Sequence, residues 1–155
     1  MRRLGPRLAV VTDYDAQVLP TTRAYLRRES GARVVLARAD AKRLPFDDGT
    51  FDLVLVTYAL HHVMGYRAAL AEIARVLRPG GVLLAADPVR PSFLPGRRSS
   101  APPDGLPSER ELRALLAGAG LSLERWRRFG PFAYVGARRE RLTIGAARID
   151  TQPVG

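Results

Sequence analysis

The stretch Ala39–Thr57, ADAKRLPFDDGTFDLVLVT, decides how the rest of the chain is read. It follows a β-branched run, so that Val34–Ala39 reads as a strand with Asp40 just beyond its end. Lys42–Gly49 is polar and contains Pro45, which makes it a loop or a weak helical turn. Leu53–Thr57 is then a continuous apolar run, the pattern of a strand buried on both faces.

Working outward, the same alternation recurs on both sides. Upstream, Leu8–Thr12 is a short apolar strand ending at Asp13. Asp15 can cap a segment in which Leu19, Thr22 and Leu26 share one face, with Pro20 tolerable only near its first turn. Downstream, Tyr66–Leu77 places Leu70, Ile73, Ala74 and Leu77 at helical spacing, and Pro79-Gly80-Gly81 stops the pattern. Val82–Ala86 reads as another buried strand, closed by Asp87-Pro88. Strand and helix patterns in alternation argue for a parallel sheet covered by helices. Pro91–Pro107 holds five prolines and reads as a long loop, with Phe93 and Leu94 as its sizeable apolar residues; we expect it to act as a lid on the substrate side. Ser108 and Glu111 form a capping box that opens a helix ending near Gly118 or Gly120. Leu121–Phe129 and Phe132–Ala137, joined at Gly130-Pro131, read as an antiparallel pair. The tail beyond Arg141 has no strong pattern.

The 155 residues fit one domain, and 46% are hydrophobic. No apolar run approaches the roughly 20 residues of a membrane helix, and Leu8–Val11 is too short for a secretory signal, so a cytoplasmic location is expected. The absence of cysteine excludes disulfides, thiolate metal sites and a cysteine nucleophile. The net charge of +10 comes from arginine, since Lys42 is the only lysine. These arginines are scattered rather than gathered in a stripe, so they do not single out nucleic acid as a partner.

In an open α/β sheet, ligands sit beyond the carboxyl ends of the parallel strands. Asp13 follows the first strand, and its acceptor-only carboxylate suits the two hydroxyls of a ribose. Asp40-Ala41 follows the second, where a carboxylate can accept from an exocyclic amine and a backbone N–H can face a ring nitrogen. Thr57, Tyr58 and the segment to His62 follow the third. Each acidic residue alone also fits a helix cap or a turn. Adjacent His61 and His62 project in two directions and read as structural or pocket-lining; no metal site is expected.

Taken together, Asp13–Leu19, Ala39–Val54, Ala59–Val63 and Ala74–Gly81 resemble, in order and separation, the blocks of class I S-adenosylmethionine-dependent methyltransferases of the small-molecule type. The resemblance implies an α/β, Rossmann-like fold: a mostly parallel sheet with a C-terminal antiparallel hairpin. The domain would cover residues 1–140, with 141–155 a tail. It implies S-adenosyl-L-methionine as cofactor, with Asp13 on the ribose, Tyr14 near the adenine, Asp40 on the adenine amine and Ala41 giving a backbone contact. Thr57 and Tyr58 would line the methionine end and the reacting centre. Phe51, Asp52, Pro79, Gly80 and Gly81 are assigned structural roles. The family's first strand and its glycine-rich turn have no counterpart before Leu8, so the chain is expected to start at the family's second strand, and the adjoining interior strands to lose a ladder partner. This exact chain is therefore expected to bind the cofactor weakly or not at all. The implied reaction is methyl transfer to a small-molecule acceptor, driven largely by alignment of donor and acceptor, with no catalytic residue assigned. The competing reading is a non-catalytic truncated remnant, or a binding module that uses its basic face.

Overall fold

The structure is a computed structural model that describes residues 8–22, 33–89 and 107–141. Its strands are β1 (Leu8–Asp13), β2 (Arg33–Arg38), β3 (Phe51–Thr57), β4 (Leu77–Pro88), β5 (Leu121–Phe129) and β6 (Phe132–Arg139). A 3-10 turn spans Leu60–His62, and two helices, α1 (Tyr66–Val76) and α2 (Glu109–Gly118), complete the described elements. Residues 19–22 are also helical. Apart from Pro107, the expected lid lies outside the described residues, as does the tail beyond Arg141.

The strands form two sheets. β1 pairs with β2 in parallel, from Leu8↔Arg33 to Asp13↔Arg38. The second sheet has the order β3-β4-β6-β5, with β3 parallel to β4 and the C-terminal hairpin antiparallel. Among the described residues no ladder joins β1 to β3. The expected α/β architecture is present: β1–β2 and β3–β4 pair in parallel, and the C-terminal hairpin makes the sheet mixed.

The hydrophobic core belongs to the second sheet. Leu70 and Ile73 of α1 meet Leu112 and Leu116 of α2 over Leu83, Ala133, Val135 and Ala137. Both helices lie on one face, and this corrects the reading of β3 as buried on two. Val54 and Val56 pack toward the core, whereas Leu53 and Leu55 remain 51% and 66% exposed. A strand with side chains alternating between faces is buried only where something covers each face.

The deciding stretch is held by one arginine of α1. Arg75 donates to the carbonyl oxygens of Leu44 and Phe46, at 3.0 and 2.8 Å, and to the Asp48 carboxylate at 2.8 Å. It also forks onto Glu72 at 2.8 and 2.9 Å, and Glu72 in turn accepts the Leu44 N–H at 2.8 Å. The hydrogen bonds from Arg75 hold the Glu72 carboxyl below its ordinary range. Phe46 and Phe51 meet edge to face at 5.0 Å and close the loop.

A second correction concerns Pro79-Gly80-Gly81. The helix ends at Val76, one residue before the expected Leu77, and the following strand starts at Leu77, five residues before Val82, so that the three residues lie inside it. The register shifts there, from Phe51↔Leu77 to Leu53↔Val82. Gly80 takes the shift with φ +81, and a Cβ on Gly81 would lie 2.9 Å from the Arg78 carbonyl oxygen.

Candidate functional site

The sequence-predicted residues fall into two groups at strand carboxyl ends. The first closes β1 and β2. One oxygen of Asp13 accepts the Asp15 N–H at 2.8 Å, and its backbone carbonyl accepts the Ala39 N–H at 3.0 Å. One oxygen of Asp40 accepts the Lys42 N–H at 2.9 Å, while the other lies 4.0 Å from the Lys42 ammonium. Both residues thus play the turn role their residue type allows. A carboxylate offers about four lone-pair sites, so each keeps acceptor capacity toward solvent. Tyr14 is exposed, with the Arg38 guanidinium 5.5 Å over its ring and Arg38 Nε donating to its carbonyl oxygen at 3.0 Å. Ala41 is half-buried against the core.

The second group closes β3 and β4. Thr57 pairs with Ala86, and the Tyr58 N–H donates to the Ala86 carbonyl at 2.8 Å. Tyr58 has φ +53, the one non-glycine residue in the left-handed region among the described residues. That conformation costs about 1–2 kcal/mol for an L-residue, and such strain collects at functional sites. Its half-exposed ring stands edge-on to Phe132 at 5.2 Å.

Sequence reasoning missed Asp87. It ends β4 almost fully buried and is the one buried polar residue among the described residues. Its Oδ2 accepts the N–H groups of Ala59 and Leu60, at 3.0 and 2.9 Å. Its Oδ1 accepts the His61 N–H at 3.1 Å and lies 2.9 Å from His61 Nδ1. The only signal in the chain is an aspartate at the end of an apolar run; its partner lies 26 residues away. The pair links His61, read from the sequence as structural or pocket-lining, to a buried carboxylate. Among the described residues no cluster of metal-ligating side chains occurs, and no helix is long and apolar enough to cross a membrane.

Residues 1–85 match the family described as methyltransferase domain, and the chain belongs to that family. A demethylmenaquinone methyltransferase of Parafrankia sp. is 48% identical over 67 residues, which take in 43% of this chain and 26% of the relative. Its namesake in Mycolicibacterium paratuberculosis is 36% identical over 121 residues, 61% of this chain and 53% of the relative. The chain thus spans from about a quarter to about half the length of these curated relatives. A solved putative methyltransferase from Bacillus halodurans superposes with TM-score 0.73 at 18% identity, over 86% of this chain and 84% of that one. A cyclase superposes with TM-score 0.70 at 20% identity, over 84% and 65%. Likeness at this level shows the fold, and one fold hosts several reactions.

Proposed function

We propose that this chain is part of an S-adenosylmethionine-dependent methyltransferase that acts on a small-molecule acceptor. The observation that carries the reading is the placing of Asp13 and Asp40 at the carboxyl ends of neighbouring parallel strands, each with one oxygen tied into a turn. A nucleoside presents donors at its ribose diol and at its exocyclic amine, and acceptor-only carboxylates match both. The residues present therefore fit the nucleoside half of the cofactor. Asp13 would hold the ribose, Asp40 the amine, Ala41 the ring through its backbone, and Tyr14 would cover one side. Thr57 and Tyr58 would line the methyl-donor end, where the strained backbone of Tyr58 fixes its ring beside Phe132. When bound, the sulfonium supplies an already activated methyl group, so these residues have mainly to orient the two reactants. Demethylmenaquinone is the first acceptor to test, because the relatives are named for it.

Calorimetry with S-adenosylhomocysteine tests the reading on the full chain and on Asp13→Ala. Loss of a charge-assisted hydrogen bond costs about 1.5–3 kcal/mol, or roughly 10- to 150-fold in affinity. Binding that Asp13→Ala leaves unchanged, or no binding even by a chain extended upstream with a first strand and glycine-rich turn, would overturn it.

A further inference from the structure

We propose that His61 is the general base that takes the proton from the methyl acceptor, with Asp87 as its positioning residue; this rests on the methyltransferase reading above. The argument starts from Asp87. Three backbone N–H groups and one imidazole nitrogen converge on a single buried carboxylate. A carboxylate can only accept, so the ring nitrogen facing it, Nδ1, must carry the hydrogen. The neutral ring then presents its lone pair at Nε2, on the side away from Asp87. The His61 side chain is held at Nδ1 by Asp87 and is 22% exposed. Among the described residues, its titratable neighbours are Asp87 on β4 and His62, whose ring centroid is 3.8 Å away.

Position completes the case. The 3-10 turn follows the carboxyl end of β3, and Asp87 sits at the carboxyl end of the parallel β4. Ligands of such sheets lie beyond these ends. The N–H groups of Ala59, Leu60 and His61 already bind the carboxylate and hold the turn against β4. The fourth contact adds control of the ring: it sets the tautomer, and the carboxylate stabilises the imidazolium that forms on proton uptake.

The proton balance is simple. An O–H bond of the acceptor breaks, the proton goes to Nε2, and the electron pair stays on the acceptor. That pair, on oxygen or delocalised to a ring carbon, makes the new bond to the methyl carbon as the carbon–sulfur pair leaves with sulfur. In the ring-carbon case the displaced C–H proton returns to oxygen by tautomerisation. One proton is released in all, and His61 passes it to water.

His61→Asn is the informative variant, because its amide N–H can replace Nδ1–H against Asp87 while nothing replaces Nε2. Nitrogen-15 NMR of the wild-type ring should show the Nδ1–H tautomer, and Asp87→Asn should mix the two tautomers. With demethylmenaquinone reduced to its hydroquinone, His61→Asn should keep S-adenosylhomocysteine affinity and melting temperature. Its turnover should fall by about 10²–10⁴-fold, the range for loss of a general base. An Nε2–H tautomer in the wild type, or wild-type turnover by His61→Asn, overturns the proposal. Failure of the upstream-extended chain to bind S-adenosylhomocysteine removes the methyltransferase reading, whatever the tautomer. If the cofactor product binds and the hydroquinone is left unchanged, the acceptor assignment falls and the tautomer decides the base.

Discussion

The β1–β2 pair and the β3–β4–β6–β5 sheet are built from similar apolar runs, yet they are packed very differently. Val10, Val11, Val34 and Leu36 are as hydrophobic as Leu83 and Val135, but no residue of β1 or β2 is fully buried. In the second sheet Leu77, Leu83, Leu121 and Ala137 are wholly enclosed by α1 and α2. Apolar composition makes a strand suitable for a core; an opposing helix face makes it part of one. The proposed roles divide the same way: Asp13 and Asp40 stand at the carboxyl ends of the thinly packed pair, and His61 and Asp87 belong to the densely packed sheet.

The largest test of this contrast is Leu83→Ala, which opens a cavity at a fully buried position and should cost about 2–5 kcal/mol in urea unfolding. A smaller effect is expected at Glu72, where the Arg75 clamp joins the deciding loop to the packed half. Its carboxyl is held low in the folded chain, so the stabilisation is present above the ordinary glutamate value of 4.5 and is lost as pH falls below it. Melting curves at pH 7 and pH 4 should therefore converge in Glu72→Gln relative to the parent. Val35→Ala, on a 40% exposed side chain of β2, should change unfolding by less than about 0.5 kcal/mol. A loss there as large as that of Leu83→Ala would break the comparison, since β2 would then be part of the same core.

What the sequence disclosed follows the range of the forces involved. The capping box is local, and Ser108 accepts from the Glu111 N–H while Glu111 accepts from the Ser108 N–H, as the spacing demands. The face of α1 and the hairpin partners β5 and β6 were legible for the same reason. The start of β4 was not, because Leu77 is recruited by Phe51 across a shifted parallel register. Asp13 and Asp40 stood out as acids at strand ends. Asp87 has the same signature, but its meaning depends on three backbone groups and a ring brought in from the neighbouring strand's end.

The outer strand β3 has one further consequence, for how the protein behaves in a tube. Leu53 and Leu55 stand exposed beside a strand edge that no described strand pairs. Such an edge is a template for another chain, and lysine or proline guards are missing from its seven residues. Mutual repulsion from the net charge of +10 opposes such pairing between copies. Repulsion of that kind is screened within about 8–10 Å at ordinary ionic strength and within about 3 Å in molar salt. Concentrated stocks should therefore stay clear in dilute buffer and turn cloudy as salt is added, and moving the buffer pH toward 11 should do the same as the charge is lost.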